Sequence, residues 1–496
     1  MIQAVFGLIF LILIVNNGQV IEDKIYFPDD NVSYKRQPDY NTHVNQGNTN
    51  NNYQTYSNSQ FLGNTYGNNS NNNQPNNYQS NINTQANLEN KYEKTYQNYP
   101  QVANAQVNLE NVHIHSGLST LAHTLDDKIR ERNPSFKNTI LSPVCIGEIL
   151  SLLMFASNGI TKYELANIFG LNSNSLSYEQ ELFYHSEFAR LIYTLESSSN
   201  NNVFVTTATA LFVAENVHVN RNFQNTISNI YKTEIQKLHS KLNTADIINN
   251  WVNQKTYGKI QRILEDKSSN DTVVLVSTLY FNGLWKTPFT NLQRRYKFFP
   301  DGAKNNNNII YVDMMGCLES YKYFKDAARD FQIIGIPYKN ESTVFYVVQP
   351  LNSNRQTLQQ IKSYLTPQNI DLVLSQMKNK FVMLSIPKMI LSETMVLNQP
   401  LKQMGVQTLF NNKADLSNMF PPSEKWFVDE ILHKVQMEIT ETGTVGTAAT
   451  TATYARTVGL NFTLNTPFMF FIRHEPTKLN LFWGLVQEPT PNYPSP

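Results

Sequence analysis

Along this chain the spacing of apolar residues changes character near residue 112. From about residue 19 to residue 105 the sequence is dominated by Asn, Gln, Ser and Tyr, with almost no aliphatic side chains. Such a stretch buries too little apolar surface to offset the entropy of ordering, so it is expected to be disordered. Beyond Val112 the apolar positions become periodic. Leu118, Leu121 and Leu125 recur at helical spacing and predict an opening amphipathic helix. Ile146, Ile149, Leu150 and Leu153 define one face of a second helix, with Ser142-Pro143 as its start. Asp246–Ile260 reads as an amphipathic helix closed by Gly258. Val273-Val-Leu-Val is a continuous apolar run, the mark of a strand buried on both faces. In Leu432–Ile439 the alternation puts His433 in phase with Val435, Met437 and Ile439, on the buried face of a strand. A buried imidazole needs a hydrogen-bond partner. The runs Phe468–Ile472 and Leu481–Val486 read as two closing apolar strands.

One segment fits neither period. Between Glu441 and Arg456 there is no charge, no proline and no large aliphatic residue except Val445. Thr and Val favour extended backbone, and Gly443 and Gly446 supply freedom at its start. Its hydroxyls suit water, so it can be an exposed loop. Nothing in it forbids burial between two neighbours, so it can equally be a central strand. A flexible Thr/Ala linker is what composition alone suggests.

These residues together resemble the serpins, the serine protease inhibitors. Glu441, Gly443 and Thr444 are similar to the hinge of that family's reactive-centre loop, and Thr447, Ala448 and Ala449 to the small residues after it. Val445 and Gly446 stand where the family usually has an acidic residue and alanine; neither adds charge or bulk. Asn138–Ile146, Asp246–Ile260, Val273–Trp285, the segments around Val312, Ile386 and Asp415, and the two closing strands follow in serpin-like order. The resemblance spans about residues 112–489. It implies an α+β serpin fold: three β-sheets, about eight or nine helices and an exposed reactive-centre loop. It also implies that Ser142, Ser277 (usually asparagine), Trp285 and His433 belong to the region where the main sheet parts, with Ser142 the candidate partner of His433. The implied function is suicide inhibition of a serine protease, which cuts the loop, becomes covalently acylated and is carried off as the loop enters the sheet. Counting from Glu441 puts the cut after Thr457; counting back from Pro467 puts it after Arg456. Arg456–Thr457 is preferred, because a long cation suits the acidic pocket of trypsin-like enzymes.

Composition adjusts this picture at its edges. Ala4–Val15 is apolar and too short to span a bilayer, so it is expected to be the core of a signal peptide over residues 1–18. The expected domains are then an extension at 19–110, a serpin domain at 111–489 and a tail at 490–496. Sequons at Asn31, Asn68, Asn270, Asn340 and Asn461 agree with a secreted, glycosylated and extracellular protein. A net charge of +1 gives no pull toward nucleic acid, and no membrane association is expected of the mature chain. Two cysteines, Cys145 and Cys317, support no disulfide framework, and Cys145 reads as a buried small side chain. No hydrolase elbow, phosphate loop or metal motif occurs, so neither an enzyme nor a cofactor is expected. His113 and His115 fit one face of a strand but lack acidic or thiol partners for a metal. The stretch 189–202 carries one arginine and no lysine, which argues against heparin binding there. A monomer is expected. Two other readings remain: a non-inhibitory serpin serving as carrier, chaperone or storage protein, and a matrix protein driven by its Asn/Tyr-rich arm. That arm can also be an inert tail, a tether or a cleavable regulator.

Overall fold

The computed structural model describes residues 114–132, 137–171, 177–200, 202–239, 242–265, 273–304, 308–443 and 459–493, all within the compact unit Tyr96–Pro496. The expected signal segment, the extension up to residue 110 and His113 lie outside the described residues.

Among the described residues there are nine α-helices and fourteen strands. The helical period of Leu118, Leu121 and Leu125 produces α1 (Ile114–Arg132), which buries all three. His115 therefore stands on a helix, not on the strand that its spacing from His113 would also fit. Helix α2 (Pro143–Ala156) starts where Pro143 provides a ready-made first turn and the Ser142 side chain accepts from the Cys145 amide at 3.4 Å. Nearly every residue of α2 is buried, so it runs through the core.

Five strands form a sheet in the order β10-β11-β4-β2-β3, where β2 is Val203–Ala214, β3 Glu234–Leu238, β4 Val273–Gly283, β10 Met389–Val396 and β11 Glu430–Ile439. Both faces are covered. Leu275, Leu279 and Val435 point into the core shared with α2, while Val274, Val276 and Leu432 pack on the other face among Ile248, Trp251 and Val252. The latter three belong to α6 (Thr244–Lys255), the amphipathic helix expected there, which ends just before Gly258 at φ +78.

The second ladder holds nine strands because one of them is shared. Strand β6 (Ile310–Asp326) pairs along its first part with β5 (Asn291–Phe298) and with β9 (Lys378–Pro387), whose far edge carries β12 (Leu460–Thr463). Its last five residues pair with β7 (Phe331–Pro337), which continues through β8 (Thr343–Pro350), β13 (Phe468–His474), β14 (Leu479–Val486) and β1 (Asn138–Leu141). The three expected sheets are thus present, two of them running into each other through β6. The closing hairpin β13–β14 is buried at every position, as its continuous apolar runs predict.

Beneath the second sheet, α7 (Arg355–Tyr364) is tied to α1 by charge. Lys362 and Asp126 are both wholly buried and paired, and Lys362 also reaches Asp127 at 2.6 Å. Burial pushes the Asp126 carboxyl up, but Lys362 and Arg130 outweigh it and hold the group below its ordinary range. Replacing Lys362 with Met leaves Asp126 short of its principal cation. The variant is expected to lose about 3–5 kcal/mol of stability, read from the urea unfolding midpoint.

Candidate functional site

Strands β4 and β11 run parallel and pair over six residues, from Glu430↔Val274 to Val435↔Leu279. Each continues for four more, Tyr280–Gly283 and Gln436–Ile439, with no ladder between them. Their outer edges are occupied by β2 and β10, so the open interval lies inside the sheet. Main-chain donors and acceptors facing such a gap are satisfied only by whatever enters it.

The chain turns back at the mouth of this gap. The Thr440 amide donates to Gly443 O at 2.8 Å, and Gly443 forms a bridge with Leu284. A Cβ on Gly443 would lie 2.1 Å from Gly283 O, so no larger residue fits without moving the hinge. Trp285 is the platform beneath. It stacks on Tyr338 with 4.5 Å between ring centroids, its indole N–H donates to Thr440 O at 2.9 Å, and its amide donates to Thr442 O at 3.0 Å. The Phe289 amide adds a bond to Glu441 O at 2.7 Å, and the Glu441 carboxylate pairs with Lys388 at 3.1 Å.

Lower down, His433 joins three elements. Its Nε2 accepts the Ser142 amide at 3.0 Å, which leaves Nδ1 protonated to donate to Ser277 Oγ at 3.0 Å. The contact with Ser142 is therefore made through the main chain; the Ser142 hydroxyl is occupied with capping α2. Burial pulls the His433 pKa down to about 3, so the imidazole is neutral and serves as a pin between β11, β4 and the start of α2. Cys145 lies beside it, with Sγ 3.6 Å from Thr278 O and its thiol pushed up by burial. An un-ionised thiol of this kind is unreactive.

Thr444, Val445, Gly446, Thr447, Ala448, Ala449, Arg456 and Thr457 lie outside the described residues. The chain resumes at Gly459 and enters β12, which pairs in parallel with β9 in the other sheet. Segment 444–458 is thus tied at one end to the mouth of the gap and at the other to a different sheet. Asn461 is exposed on β12. Asn340 is half-buried, with its side chain bonded to Thr343 through both its oxygen and its nitrogen. Asn31, Asn68 and Asn270 lie outside the described residues.

The family model described as serpin (serine protease inhibitor) matches residues 116–489, about three quarters of the chain. This chain is a serpin. Human glia-derived nexin is 29% identical over 364 residues, covering 71% of this chain and 88% of that protein. Serine protease inhibitor 28Dc of Drosophila melanogaster is 27% identical over 415 residues, 71% of this chain and 76% of its own length. Among solved structures, native protease nexin-1 with heparin superposes with a TM-score of 0.65 at 26% identity, over 76% of the serpin and all of the nexin. Human thyroxine-binding globulin complexed with thyroxine superposes with a TM-score of 0.69, over 76% of this chain and 99% of its own, but at 22% identity that likeness concerns the fold alone.

Sequence reasoning missed the supports of the hinge: Thr440, Thr442, Phe289 and Tyr338. Their part is played by main-chain atoms and by ring stacking across distant segments, which leave no local pattern.

Two outcomes are expected. Gly443→Val displaces the hinge and lowers the melting temperature by several degrees, measured by calorimetry. The pH dependence follows from His433. Its folded pKa lies below the unfolded value of 6.5, so its contribution is present above that pH and fades as pH falls toward 3. Stability should decline between pH 6.5 and pH 4 in the native protein and more gently in His433→Gln, compared by denaturant titration.

Proposed function

We propose that this serpin is a secreted inhibitor of trypsin-like serine proteases that works as a suicide substrate in an extracellular cascade. The observation that carries the reading is the gap between β4 and β11, with Gly443 at its mouth and no charge from Thr442 to Ala455. A target enzyme attacks Arg456–Thr457, is acylated, and is dragged across the molecule as the freed segment fills the gap antiparallel to both neighbours. About ten inserted residues form roughly twenty backbone hydrogen bonds at ~0.5–1.5 kcal/mol each, a gain on the order of 10–30 kcal/mol. That matches or exceeds the stability of an ordinary domain, about 5–15 kcal/mol, and suffices to distort a protease before it deacylates. A sulphated polysaccharide acting through α4 (Tyr178–Ser197) forms no part of the proposal, since Arg190 of that helix is already paired with Glu187 at 2.5 Å. Secretion is supported by the apolar run Ala4–Val15.

Incubation with trypsin should give an SDS-stable complex and a C-terminal peptide beginning at Thr457. Arg456→Ala should abolish both with Arg-cleaving enzymes. Thr444→Arg would put a cation into the segment that must be buried, at several kcal/mol; it should turn the inhibitor into a plain substrate, cleaved at the same bond without a complex. Cleavage of the native protein without a complex would favour a carrier or storage role instead.

A further inference from the structure

Helix α2 is apolar along most of its surface, but one line of it is not. Ser142 at its cap, then Cys145, Glu148 and Ser151, follow at intervals of three and are all buried. Three of these four have partners: the Ser142 amide on His433, Cys145 Sγ on Thr278 O, and Ser151 Oγ on the Tyr184 hydroxyl at 3.2 Å. Glu148 is the exception. It is 2% exposed, and its Oε2 has no hydrogen-bond partner. The hydroxyls of Thr207 and Thr209 face it from β2, and Thr209 Oγ1 is likewise unpartnered. Glu148 Oε2 and Thr209 Oγ1 are thus both left unsatisfied at the helix–sheet boundary.

Among the described residues, the one cation that bears on this carboxyl is already engaged. Glu196 of α4 and Lys232 bear on it, but they are bonded to each other at 2.6 Å. The remaining titratable neighbours are Cys145 on α2 and Tyr231 just after α5 (Arg221–Ile230), both pushed upward by burial and so uncharged at neutral pH. Burial pushes Glu148 up to about 8; the Thr209 hydroxyl pulls the other way, and the Glu196 charge adds to the push.

The position of this group gives it leverage. Filling the gap means parting β11 and β10 from β4, β2 and β3, and α2 is fastened to both halves. His433 on Ser142 ties it to β11, Cys145 on Thr278 ties it to β4, and Glu148 is buried where α2 meets Thr209 of β2. We infer that Glu148 is a proton-operated latch: as a neutral acid it keeps β2 seated on α2 and the gap closed, and loss of its proton frees that half of the sheet to move. This deepens the strand-insertion reading above and rests on it. The sign follows from the direction of the shift. A carboxyl raised above its unfolded value of 4.5 favours the closed form fully below that pH, and the preference is lost as pH rises through the folded value.

The test uses the intact protein and an acetylated synthetic peptide spanning residues 444–455, with uptake into the sheet followed by native gel and by the rise in melting temperature. In the native protein the uptake rate should climb about five-fold or more between pH 6.5 and 9.5, by no more than tenfold per pH unit for a single proton. The isosteric Glu148→Gln should take up peptide at the slow, low-pH rate throughout. A flat native profile, or a Glu148→Gln variant that keeps the native rise, overturns the latch. If no form takes up peptide at any pH, the insertion reading itself fails. The latch is then decided by the heat-unfolding midpoint, which must fall across the same pH span in the native protein and hold steady in Glu148→Gln.

Discussion

Everything distinctive about this molecule follows from main-chain groups that are left without a ladder. In most sheets neighbouring strands pair along their full common length, because an unmade buried hydrogen bond costs more than a made one gains. Here β4 and β11 pair for six residues and then continue side by side without doing so. The outer edges of both strands are taken, so the deficit cannot be repaired by a partner at the rim. It can be repaired by a strand entering between them, and the stretch Thr442–Ala455 leading from the mouth of that opening carries no charge to obstruct burial.

On the proposed reading, geometry rather than composition keeps the opening from filling at once. The segment is held at both ends, by the Gly443–Leu284 bridge on one side and by β12 paired to β9 on the other. The lower part of the sheet is pinned by His433, which holds β11 to β4 and to the cap of α2 in one hydrogen-bonded chain. A neutral imidazole suits that task, since a protonated Nε2 would meet the Ser142 N–H donor against donor.

Much of this architecture was legible before any coordinates. The period of Leu118, Leu121 and Leu125, the apolar run at Val273 and the alternation around His433 each led to the element observed. Ordered serpin-like motifs pointed to the family that the match over residues 116–489 bears out. One local reading gave way. His115 follows the helical period of the leucines after it, because three buried leucines outweigh a two-residue alternation. Ser142 does partner His433, through its main-chain amide, while its hydroxyl caps the helix. Glu148 carried a signal that went unread: a lone acidic residue on the buried line of an otherwise apolar helix.

By itself the sequence determined what depends on neighbours along the chain: helical and strand periods, the cap at Ser142, the absence of charge after Glu441 and the order of motifs. Those are local preferences of side chains and backbone, and they survive in any window of a dozen residues. Only the tertiary structure decided which strands meet, how far they stay paired, and which buried polar atoms are left unsatisfied. The separation of β4 from β11 past Leu279, the Trp285 platform under Thr440 and the isolation of Glu148 arise between residues far apart in sequence. Such relations depend on the packing of the whole molecule, which no short window contains.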